Sequence, residues 1–162
     1  MPNPSGYSIT QIALHWITAV LIVWAYFISE GMGKALDARL TSGATGTSGN
    51  TAHVWVGGAV VAFVLIRLAV RIRTGAPQPE PHAPTSVQRA SVWGHRVLYA
   101  LMIATPFLGA VTWYGGIEMT GEVHAVLGNM LMIFVAGHVI MAMLHQPLFG
   151  HGVLSRMFTP RN

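Results

Sequence analysis

Residues 122–144 read EVHAVLGNMLMIFVAGHVIMAML, and the fold is decided here. The stretch carries no charge after Glu122 and is long enough to cross a bilayer. It still holds two histidines, His124 and His138. An ionisable side chain in a membrane span is costly and marks a functional position by default. The fourteen residues between them, at about 100° each, make nearly four turns, so both imidazoles share one helix face. Along the axis they are roughly 21 Å apart. That is too far for one metal ion and suits two cofactors stacked across the membrane.

The rest of the composition agrees with a membrane protein. Of 162 residues, 52% are hydrophobic and 9% charged, whereas soluble domains carry about 25% charged residues. The length fits one domain, residues 1–162. The chain has no cysteine, which excludes disulfides, iron–sulfur clusters, c-type haem attachment and Cys-type zinc sites. Eight histidines leave His-only ligation as the main cofactor chemistry. The net charge of +4 does not point to nucleic acid, because the basic residues flank apolar runs, where membrane topology explains them.

Outward from this stretch, three more runs qualify as spans. Residues 11–28, QIALHWITAVLIVWAYFI, contain no charge. No positive charge precedes them, so they read as a span rather than a signal peptide. The four spans fall at about residues 10–29, 52–70, 92–114 and 123–145. Pro106 lies inside the third, which membrane helices tolerate. Residues 31–51 read as a flexible polar loop, and residues 74–90, with Pro77, Pro79, Pro81 and Pro84, as an extended connector. Arg67, Arg71, Arg73, Arg89 and Arg96 surround that connector, and Arg156 and Arg161 lie in the tail. The opposite side has only Lys34 and Arg39. The positive-inside rule therefore predicts an all-α, integral membrane four-helix bundle with both termini cytoplasmic.

This topology assigns depths. His15 and His138 lie toward the cytoplasmic side, His53 and His124 toward the outer side. The depths pair His15 with His138 and His53 with His124, each pair able to ligate one haem iron axially. A porphyrin about 10 Å across needs a small residue one turn from each ligand. Ala19, Gly57, Gly128 and Ala142 stand at those positions, whereas His95 is followed by Tyr99 and His145 by Phe149. Arg67, fourteen residues after His53, reaches the cytoplasmic level and is a candidate propionate partner, ahead of Arg71 and Arg96. His145 is a reserve ligand. His95 could bond a propionate, serve a quinone site or cap the interface. His82 and His151 read as solvated.

These residues resemble the bacterial cytochrome b561 family over nearly the whole chain. The resemblance is carried by YSITQIALHW at 7–16, HVWVGGAVVAFVLIRLAVRI at 53–72, GHRVLYALMIATPFLG at 94–109 and HAVLGNMLMIFVAGH at 124–138. It implies two non-covalent b haems held by the same four histidines. It also implies electron transfer in the bacterial cytoplasmic membrane, often involving quinone. The expected function is a dihaem b-type cytochrome exchanging electrons with quinone, and with superoxide or a periplasmic donor or acceptor protein. The alternative is a haem-bearing anchor subunit of a larger dehydrogenase or hydrogenase. A His-lined metal-ion transporter would instead need ligands converging near the midplane.

Overall fold

The computed structural model describes residues 6–75, 77, 84–149 and 154–160. They form helices α1 (Ile9–Phe27), α2 (Met32–Ser42), α3 (Ala52–Thr74), α4 (Thr85–Gly115) and α5 (Glu118–Phe149), then a 3-10 turn at Ser155–Met157. No strand occurs among the described residues. Four helices are long and apolar enough to cross a membrane: α1, α3, α4 and, in α5, Glu118–Leu144. Close backbone packing joins α1 to α3, α3 to α4 and α4 to α5. The backbone of α5 approaches α1 and α3 only sparsely.

Local chemistry sets the helix ends. Ser8 and Gln11 form a reciprocal capping box at the start of α1. The Gln11 amide also donates to Thr74 Oγ1 (3.0 Å) and the Gly75 carbonyl (2.8 Å), tying the start of α1 to the end of α3. Thr51 caps α3. Past Ser155–Met157 the chain lies against α1: Trp16 Nε1 donates to the Met157 carbonyl (3.0 Å), and its ring meets Phe158 at 5.2 Å.

The buried core lies at mid-depth. It comprises Ile22, Val60, Val64, Leu98, Leu101, Met102 and Leu131. Leu131 stands seven residues from His124 and seven from His138, on the same stripe of α5. It is also the one buried side chain among the described residues of α5. An apolar layer therefore separates the two histidine levels.

Three segments differ from the sequence reading. The expected flexible loop at 31–51 contains α2. The segment KALDARLT is rich in good helix formers, and Gly43 ends the helix in the left-handed conformation (φ 65°). Arg39 anchors α2 and is only 6% exposed. It donates to the carbonyls of Trp113 (3.1 Å), Gly46 (2.9 Å) and Ser48, and its guanidinium covers the Trp113 ring at 5.0 Å. Asn50 continues the clamp, accepting from Trp113 Nε1 and donating to the Tyr114 hydroxyl, both at 2.8 Å. Second, α4 begins at Thr85 rather than near residue 92, with Pro84 as its cap residue. A proline just before a helix is compatible with the turn that follows, and the residues after it need no membrane to be helical. Third, α5 continues through Pro147 to Phe149. Pro79, Pro81, His82, His151 and Arg161 lie outside the described residues.

Arg39→Met is expected to loosen α2, because it removes three charged hydrogen bonds while keeping much of the apolar stem. The cost should be about 2–4 kcal/mol. A lower melting midpoint in detergent and new proteolysis within residues 31–50 would report it. Unchanged protection would show that desolvation of the guanidinium cancels its bonds.

Candidate functional site

Two pairs of half-buried histidines span the seam where the α5 backbone stands away from α1 and α3. At the terminal face, where α1 begins and residues 154–160 lie against it, His15 of α1 and His138 of α5 have ring centroids 6.4 Å apart. At the α2 face, His53 of α3 and His124 of α5 are 5.9 Å apart, with ring planes at 85°. Two imidazoles on one iron, with metal–nitrogen bonds of about 2 Å and a ring radius of ~1.1 Å, would stand roughly 6 Å apart between centroids. Both separations fit that requirement.

The protonation of the α2-face pair is set by its neighbours. His53 Nδ1–H donates to the Ala25 carbonyl (2.9 Å) and His124 Nδ1–H to the Thr105 carbonyl (2.7 Å). A carbonyl only accepts, so the proton of each neutral ring is on Nδ1 and the Nε2 lone pair is free for a metal. Metal-ligating histidines are characteristically oriented through the second nitrogen in this way. The other pair is arranged differently. Arg67 Nη2 donates to His15 Nδ1 at 2.8 Å, which leaves the His15 proton on Nε2. Ligation of a metal through Nε2 would need the reverse tautomer, and with it the parting of His15 and Arg67, which would leave Arg67 to meet an anion at the same level. Its guanidinium also lies 5.5 Å from the centre of the Tyr99 ring.

The space beside the histidines is informative. A Cβ on Gly57 would meet nothing within 4 Å, and one on Gly128 would touch only Thr105 Cγ2 at 4.0 Å. These glycines are not filled by neighbouring helices, as a flat prosthetic group alongside them requires. Thr105 gives a second sign. Thr18, Thr74 and Thr112 each bond the carbonyl four residues back. The Thr105 hydroxyl, beside Gly128, is buried without a partner among the described residues. A buried polar atom in that condition is costly unless a bound group satisfies it.

Other candidates divide clearly. His95 sits beside the terminal-face pair, its ring 5.2 Å from that of His138, and its Nδ1–H donates to the Ser91 carbonyl (2.7 Å). Arg96 instead stacks on Trp93 at 4.9 Å. The side chain of His145 lies outside the described residues. Among those residues, no group of three or more His, Asp or Glu side chains forms a metal-binding cluster. The mid-depth position that a metal-ion transporter would use is filled by the apolar core.

Sequence reasoning missed the Ala25 and Thr105 carbonyls, the Arg67–His15 bond and the approach of His95 to His138. Backbone carbonyls carry no residue signature. The other two contacts depend on the rotation of whole helices.

Residues 6–160 match the family model described as prokaryotic cytochrome b561. The chain is 32% identical to "Cytochrome b562" of Cereibacter sphaeroides, over 99% of this chain and 100% of that protein. It is 27% identical to "Probable superoxide oxidase CybB" of Yersinia pestis, over 93% of this chain and 94% of the relative. It is 25% identical to "Cytochrome b561 homolog 1" of Escherichia coli, over 96% and 98% respectively.

Proposed function

The chain belongs to the prokaryotic cytochrome b561 family of multi-pass membrane electron-transfer proteins, and on that premise we propose that it is a dihaem cytochrome relaying electrons between the membrane faces. The axial ligands are His15 with His138 and His53 with His124. Haem b supplies one-electron transfer, and two axial histidines leave its iron no open position for oxygen. The observation carrying this reading is the pair of ring separations, 6.4 and 5.9 Å, across the seam. Supporting it are the free Nε2 atoms of His53 and His124 and the open space at Gly57 and Gly128.

In this reading Arg67 leaves His15 and holds a propionate at the terminal face, where paired charge is needed in a low-dielectric setting. The apolar layer around Val64 and Leu131 keeps water from between the haems. The terminal face, marked by Arg67, Arg71, Arg73, Arg89, Arg96 and Arg156, is cytoplasmic. Quinone would be one of the electron partners. The electron partner at the α2 face meets exposed Glu30, Asp37, Glu118 and Glu122, four acidic groups against Lys34 and Arg39. This field favours a cationic redox protein. Superoxide, named for the Yersinia relative, is an anion and gains no steering from it. Two superoxide ions would release the two electrons that a quinone takes up, leaving two molecules of oxygen, and the two protons of the quinol would come from water.

The first test is a reduced-minus-oxidised absorption spectrum of detergent-purified protein, with haem counted per chain. About two haems with a b-type spectrum are expected. One haem would reduce one pair to a structural role, and no haem in haem-replete protein would overturn the reading. A stoichiometric soluble flavin or metal subunit in the preparation would instead favour the anchor-subunit role.

A further inference from the structure

Span α4 supplies no ligand in this scheme, yet one of its turns holds His124. The side chain of a helical residue tilts toward the N-terminus and covers the turn before it. A side chain at position 109 would therefore lie over the Thr105 carbonyl, its partner one turn back. The His124 imidazole occupies that place. A Cβ on Gly109 would lie 2.9 Å from His124 Cε1, 3.0 Å from Nδ1 and 3.5 Å from Nε2. The first two distances are shorter than ordinary carbon contacts of about 3.5–4.0 Å. All three named atoms belong to one rigid ring, so relief requires moving the whole imidazole or the helix. The ring is also held by a hydrogen bond to the same turn: its Nδ1–H donates to the Thr105 carbonyl at 2.7 Å. Between these residues stands Pro106, inside the same helical turn.

We propose that Gly109 is a positioning residue for His124: its bare backbone leaves the Thr105 carbonyl open to the imidazole and sets where the ring sits relative to His53. This rests on the assignment of His124 as a ligand of the α2-face haem. Gly109 makes no contact with the iron; it acts through the ring it seats. Its role differs from that of Gly57 and Gly128, which border open space. It also differs from that of Gly121, where a Cβ would meet Thr112 Cγ2 at 3.1 Å in the same α4–α5 seam but no histidine.

The experiment compares Gly109→Ala with Gly121→Ala in the full-length, haem-loaded protein. Haem per chain is counted, and the two low-spin ferric signals are resolved by electron paramagnetic resonance and redox titration. Gly109→Ala is expected either to lose the α2-face haem or to keep it with displaced g values, while the terminal-face signal stays in place. Gly121→Ala is expected to leave both signals where they are. Unchanged α2-face signals in Gly109→Ala would overturn the proposal. So would the same change in Gly121→Ala, which would assign the effect to seam packing. If Gly109→Ala does not fold, the double variant Gly109→Ala/His124→Ala decides: removal of the ring should restore a folded protein with the terminal-face haem, and failure to do so overturns the proposal. A wild-type protein without an α2-face signal would instead remove the underlying ligand assignment, independently of Gly109.

Discussion

His138→Ala is expected to lower the haem content from about two per chain to about one, and the haem that remains should be the α2-face one. Removing an axial ligand leaves His15 facing iron alone, with Arg67 still able to donate to its Nδ1 at 2.8 Å. That bond competes with ligation, because it holds the proton on the atom the iron needs. His53 and His124 lie at the other level, beyond the layer of Val64 and Leu131, and keep their carbonyl partners. The spectrum should therefore lose one component rather than weaken uniformly. Haem content is read by the pyridine haemochrome method, and the identity of the surviving component by its electron paramagnetic resonance signal. Two haems in this variant would sink the pairing. His95, 5.2 Å from His138, would then be the residue to replace next.

His53→Ala should produce the opposite phenotype and reveal whether the sites act in series. The terminal-face haem should remain and still accept electrons from a quinol. Delivery of those electrons to a membrane-impermeant oxidant on the α2 side should fall to the rate of haem-free vesicles. The reason is distance: His124 and His138 are separated by roughly 21 Å of helix, and the layer between them is apolar. With one level empty, no redox group bridges that span. The measurement uses proteoliposomes containing quinol, with reduction of the external oxidant followed optically. Undiminished transfer in this variant would mean that electrons enter and leave on one face, and that the α2-face pair has another purpose.

The sequence by itself determined the membrane class, the four spans and the grouping of histidines by depth. Those features are local: an uncharged run of sufficient length spans, and a fixed rise per residue assigns depth. His124 and His138 could be placed on one stripe, and Arg67 at the level of His15, without knowledge of any neighbour. The family resemblance at 7–16, 53–72, 94–109 and 124–138 was legible on the same local grounds.

What only the tertiary structure decided depends on how each helix is rotated and what lies across from it. Residues 31–51 look polar and loop-like, and the helix within them is held by Arg39 reaching the carbonyl of Trp113, 74 residues away. Whether Arg67 awaits a propionate or already bonds His15 is likewise a question of facing surfaces, 52 residues apart in the chain. Gly109 is one of 18 glycines in the sequence, and nothing along the chain distinguishes it. Its meaning appears only when α5 lays the His124 ring on the turn that Thr105 begins. Depth follows from counting residues along one helix; azimuth is set by packing among several, because it is the buried contacts between helices that fix their rotation.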